Sequence, residues 1–121
     1  MRVRVVEDDP LLRELWIEVF GSAGHDAAGA ATAADARIRL LSRSWDVVVL
    51  DLHLGSESGL AVAALATFGN PDCRVIGITG STLFARGEIF EMAPTVSTVL
   101  RRPVPIDELL AVSEQVPAAW G

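Results

Sequence analysis

Residues 46–51, Asp-Val-Val-Val-Leu-Asp, decide the fold. Three β-branched residues and a leucine stand in a row between two acids. Such a run reads as a strand buried on both faces, as in a parallel sheet covered by helices. Downstream, residues 52–57 read as a loop, Ser58-Gly59 as the entry to a helix over 60–68, and Gly69-Asn70-Pro71-Asp72 as a turn. Arg74 to Ile78 is a further strand and ends in Thr79-Gly80-Ser81. Upstream, residues 2–6 (Arg-Val-Arg-Val-Val) form a strand that stops at Glu7-Asp8-Asp9. Pro10, favoured as a first helical residue, follows with Asp9 placed to cap it. Leu11, Leu12, Leu15, Trp16, Val19 and Phe20 then recur at helical spacing, and Gly21 and Gly24 close the helix.

The remaining segments complete the alternation. Residues 25–31 make a weak strand, since Ala and Gly have little β-propensity. Thr32-Ala33-Ala34-Asp35 resembles a capping box ahead of Ala36, Ile38, Leu40 and Leu41. A helix is expected over 85–92, a strand over 96–100 and a last helix over 106–116. Five β/α units of this kind predict a parallel sheet with helices on both faces. In open sheets of this class ligands sit beyond the carboxyl ends of the strands. The residues there are Glu7-Asp8-Asp9, Asp51, Thr79 and Arg102: acids, a hydroxyl and a cation.

Composition narrows the function. A chain of 121 residues suits one domain, and its 50% hydrophobic content fills such a core. The formal charge of −6 has the wrong sign for sequence-independent nucleic-acid binding, so no direct nucleic-acid contact is expected. The apolar runs are too short to cross a bilayer and no signal-peptide core is visible, so a cytoplasmic protein without membrane contact is expected. The lone Cys73 excludes an internal disulfide and a multi-thiolate metal site, and reads as a buried thiol.

Clustered carboxylates repel unless a cation neutralises them. Oxygen ligands with retained waters suit Mg²⁺, which lowers the cost of bringing a phosphate-bearing donor to a carboxylate. Asp51, following four apolar residues of a buried strand, is the candidate nucleophile, since a carboxylate can form an aspartyl phosphate. Thr79 offers a hydroxyl to a phosphoryl oxygen and Arg102 a fixed positive charge. Taken singly, Asp9 reads as a helix cap, Thr79 as a strand residue, Arg102 as a surface cation and His53 as a loop residue. Their shared place at the strand ends is what points to a site.

These motifs resemble the receiver domain of bacterial response regulators, over essentially the whole chain (1–121). The acidic pair is Glu7-Asp8 in VVEDDPLLREL, the phosphoacceptor Asp51 in DVVVLDLHLGSESGL with Gly59 downstream, and the hydroxyl switch residue Thr79 in VIGITGS. The resemblance implies a doubly wound five-stranded sheet of flavodoxin-like order 2-1-3-4-5. It also implies Mg²⁺ bound by Asp8, Asp51 and the backbone carbonyl of His53, with Glu7 acting through water. Phosphotransfer would come from a sensor histidine kinase or a phosphotransfer protein. Phosphorylation would draw Thr79 inward and repack the face of the fourth helix, fifth strand and fifth helix, which would meet a downstream protein target or a second copy. Self-phosphorylation from a phosphodonor is expected, and no turnover enzyme.

The chain departs from the family at four places. Arg102 before Pro103 replaces the usual Lys, and the two cations are not interchangeable at a tight site. Val99 replaces the aromatic switch residue and cannot make the same swing. Gly55 replaces a loop proline, and Met92–Ser97 lacks the usual Gly-Ala-Asp stretch. The alternative these motivate is a degenerate receiver acting as a phosphorylation-independent interaction module. A haloacid-dehalogenase-like phosphatase would need a second Asp at position 53, where His53 stands. A dinucleotide site would need a G-x-G-x-x-G motif after the first strand.

Overall fold

In the computed structural model, residues 1–42, 45–54, 57–80 and 96–114 are described. Five parallel strands form one sheet: β1 (Arg2–Val6), β2 (Asp26–Ala30), β3 (Val47–Asp51), β4 (Arg74–Thr79) and β5 (Thr98–Arg101). Their spatial order is β2-β1-β3-β4-β5, the doubly wound order expected. Four described helices cover the sheet: α1 (Pro10–Ser22), α2 (Ala33–Ser42), α3 (Leu60–Gly69) and α4 (Ile106–Ser113). The helix expected over 85–92 lies outside the described residues, as do 115–116 of the last helix.

The sheet alternates its side chains between two cores. Val3, Val5, Val47, Val49, Ile76, Ile78 and Leu100 pack with Trp16 and Phe20 of α1 and Leu109 of α4. Val6, Val48, Leu50, Val75 and Val99 pack on the other side with α2 and α3. All five residues of β3 are buried, which is why that strand reads as a continuous aliphatic run. β2 is weak in sequence because it lies under α1: a Cβ on Gly29 would stand 2.9 Å from Arg13 Cδ and from Ile17 Cδ1.

Several boundaries differ from the sequence reading. α1 runs through Gly21 to Ser22, and the reversal falls at Gly24, whose φ of 92° is left-handed. Residues 52–57, expected as a loop, include a short antiparallel ribbon in which His53–Leu54 pairs with Glu57–Ser58. β3 and β4 include Asp51 and Thr79 as their last residues, and β5 begins at Thr98 rather than at residue 96. Asp9 caps α1 as expected, Oδ1 accepting from the N–H of Leu11 at 3.0 Å and of Leu12 at 3.4 Å. Thr32 Oγ1 accepts from the Asp35 N–H at 3.1 Å, while the Asp35 carboxylate pairs with Arg39 at 3.3 Å. The apolar stripe of α1 is wider than the sheet can cover, leaving Leu11 83% and Leu15 43% exposed.

Candidate functional site

The site lies where β1, β3, β4 and β5 end. In-register pairing sets Val6 beside Leu50 and Asp51 beside Ile78, so Glu7 and Asp51 leave neighbouring strands at one level. The Glu7 N–H donates to the Ala30 carbonyl at 3.0 Å, carrying the ladder one residue past β1. Glu7, Asp8 and Asp51 then each offer a carboxylate oxygen within 4.8 Å of one another. Glu7 and Asp51 are buried and Asp8 is exposed, so the cluster has two held acids and one facing solvent.

Arg102 joins this cluster. Its Nη2 donates to both oxygens of Glu7, at 2.7 and 2.9 Å, and stands 3.3 Å from Asp51 Oδ2. The backbone fixes its origin: the Arg102 N–H donates to the Thr79 carbonyl at 2.9 Å, one step beyond the β4–β5 ladder. The Arg102–Pro103 peptide is cis. Thr79 is thereby held next to Arg102, buried at the end of β4. The other oxygen of Asp51, Oδ1, accepts from the His53 N–H at 2.9 Å, while the His53 side chain is exposed.

Among the described residues, three carboxyl groups face one guanidinium in this pocket. The imbalance is felt at Glu7, whose carboxyl is pushed up from 4.5 to about 8. Burial is the main cause, followed by the Asp51 carboxylate; the Arg102 guanidinium opposes both without cancelling them. A group of acidic oxygens short of positive charge has the chemistry of a hard divalent cation site. Mg²⁺ takes one or two carboxylates and completes its shell with water, which suits a cluster of this spread.

Glu7, Asp8, Asp51 and Arg102 are therefore brought together, with Thr79 and His53 tied to them through the backbone. Val99 is not part of this group: it is buried opposite Gly77 in the core under α2 and α3. Sequence reading missed Arg13, whose Nη1 donates to the Glu7 carbonyl at 2.9 Å and steadies the end of β1. Its place in the first turn of α1, four residues after Asp9, is the signal that could have found it. It also missed Leu52, which lies across Gly77 and donates its N–H to Ile78 at 3.0 Å, holding the segment after Asp51. Gly59 was read as a motif residue and as the entry to the next helix, with no packing role. A Cβ there would stand 2.5 Å from the Asp51 carbonyl oxygen, which explains the glycine.

Comparison with known proteins identifies the family and the fold. The family model of the response regulator receiver domain matches residues 3–113. The regulatory protein VirG of Agrobacterium fabrum is 30% identical over 110 residues, which are 90% of this chain and 43% of VirG. The chain thus spans about two fifths of the length of the VirG relatives it matches. The response regulator receiver protein CpdR of Brucella abortus is 25% identical over 95% of each chain. Among solved structures, the response regulator TrrA of Thermotoga maritima in complex with Mg²⁺-BeF superposes with a TM-score of 0.78. It shares 26% identity over 92% of this chain and 94% of its own. The chain belongs to the response regulator receiver domains of two-component systems.

Proposed function

We propose that this domain accepts a phosphoryl group on Asp51 from the phosphohistidine of a sensor histidine kinase or phosphotransfer protein. It passes the signal on through protein contacts and acts in the cytoplasm. The observation that carries this reading is the Asp51 carboxylate, which the His53 N–H holds from one side and Arg102 approaches from the other. One oxygen is thus oriented while the side chain stays anchored at a strand end. Asp8 and Asp51 would hold Mg²⁺, with the His53 carbonyl as a further ligand and Glu7 acting through water. The metal would offset the negative charge that otherwise repels a phosphodonor. In the transfer, the phosphorus–nitrogen bond of the donor breaks as an oxygen of Asp51 bonds to phosphorus, and the imidazole leaves. Thr79 donates its hydroxyl to a phosphoryl oxygen and Arg102 supplies fixed charge. The domain is a stoichiometric acceptor rather than a turnover enzyme.

The donor protein would rest on the groove between α1 and α4. This cavity of about 470 Å³ is lined by Leu12, Leu15, Trp16, Pro103 and Ile106 and shares Arg102 with the acidic pocket. A partner seated there reaches Asp51 without crossing the sheet.

The test is incubation with Mg²⁺ and acetyl phosphate followed by intact-mass measurement. A single phosphoryl adduct is expected on the wild type and none on Asp51→Asn. An adduct that survives in the variant would assign the acceptor elsewhere. Its absence from the wild type with every donor would favour the phosphorylation-independent module.

A further inference from the structure

Arg102 does more in this pocket than wait for a phosphoryl group. One nitrogen, Nη2, meets both oxygens of Glu7 and one of Asp51. Those two residues are two of the three that make up the acidic cluster. Resting on the metal reading above, we infer that Arg102 is a resident counter-ion which a divalent cation must displace. Metal occupancy and the Arg102–Glu7 pairing are then mutually exclusive.

Two cations sharing the same buried oxygens repel one another strongly where the dielectric is low. An incoming metal cannot ignore this guanidinium, because Nη2 stands 3.3 Å from Asp51 Oδ2, a carboxylate the metal itself would need, and is held there by its two contacts with the buried Glu7 carboxyl. The metal therefore binds at a net cost set by this chain's own side chain.

The arginine is also built to leave. Its three contacts all fall on Nη2, while Nε is buried and makes no hydrogen bond among the described residues. The guanidinium is thus held at one corner and not across its full fork, which is the weaker way to bind a carboxylate. Its side chain is 34% exposed at the rim. The apolar cavity beside it, lined by Leu12, Trp16 and Ile106, can receive the aliphatic stem as the charged end moves to solvent.

The experiment is calorimetric Mg²⁺ titration of the full chain as wild type, Arg102→Met and Arg102→Lys. Met keeps the packing of the stem and removes the charge. Arg102→Met is expected to bind Mg²⁺ about tenfold more tightly than the wild type or better, with Lys between them. In parallel, the Nε resonance of Arg102 in the ¹⁵N-labelled wild type is followed through the same titration and should shift as the metal saturates. Equal or weaker binding by Arg102→Met, or an Nε resonance unmoved at saturation, overturns the inference while leaving the metal site standing. If neither the wild type nor Arg102→Met binds Mg²⁺, the metal reading fails and this inference fails with it.

Discussion

Glu7 is a carboxyl with no solvent exposure, held between a like charge and an unlike one. Its pKa of about 8 in the fold lies above its value of 4.5 in the unfolded chain. Below the lower value both states carry the proton. As pH rises from about 4.5 to about 8 the unfolded chain releases it while the fold retains it, so the fold loses stability through that window. In EDTA, thermal melting of the wild type should fall with pH across this range, and Glu7→Gln should melt higher than the wild type at pH 8 with a flatter profile. Parallel profiles for the two proteins would mean that Glu7 is not the titrating group. The two buried acids were legible in the sequence because each ends an apolar strand. Their tie to Arg102 was not, since it spans 95 residues from Glu7 and depends on how one long side chain is placed. Val99 shows the opposite limit: the absence of an aromatic was readable, but its burial in the core under α2 and α3 was not.

At the scale of elements, the link from β3 to α3 carries the greatest constraint. Gly59 closes it, its N–H donating to the Leu52 carbonyl at 3.1 Å while its Cα lies against the Asp51 carbonyl. Gly59→Ala would force a Cβ to 2.5 Å from that oxygen, with Leu50 at 3.2 Å leaving no room to yield. Overpacking of this kind costs about 1–3 kcal/mol, which chemical denaturation should show as a lower midpoint with an unchanged slope. A midpoint equal to that of the wild type would mean the segment relaxes freely. The strands were readable wherever they are aliphatic. β2 was weak in sequence because its small residues serve the helix above it, a packing reason that propensity does not carry. The short ribbon after Asp51 was invisible for a related cause, as its pairing comes from two residues on each side rather than from a pattern.

Among the described residues, the acidic pocket has beside it a groove that shares Arg102 and presents the exposed apolar side chains Leu15 and Ile106. On the docking proposed above, the donor protein would rest on these apolar side chains. Leu15→Glu should therefore slow phosphotransfer from the cognate phosphohistidine protein about tenfold, the effect of losing about 1.4 kcal/mol of contact. Phosphorylation by acetyl phosphate should be unaltered, because a small donor needs no groove. Equal slowing with both donors would place the effect in the pocket instead. Strand-end placement was foreseeable from the β/α alternation, whereas the sheet order came from the resemblance to receiver domains. The joining of groove to pocket was not, since both are made by residues far apart in sequence. One backbone bond, from Arg102 to Thr79, has a wider meaning. It makes the location of the cation a property of the main chain, whatever head the side chain carries. Exchange of one basic residue for another at this address alters reach and grip but not position. A lineage could thus retune how firmly its pocket is held shut without rebuilding the scaffold around it.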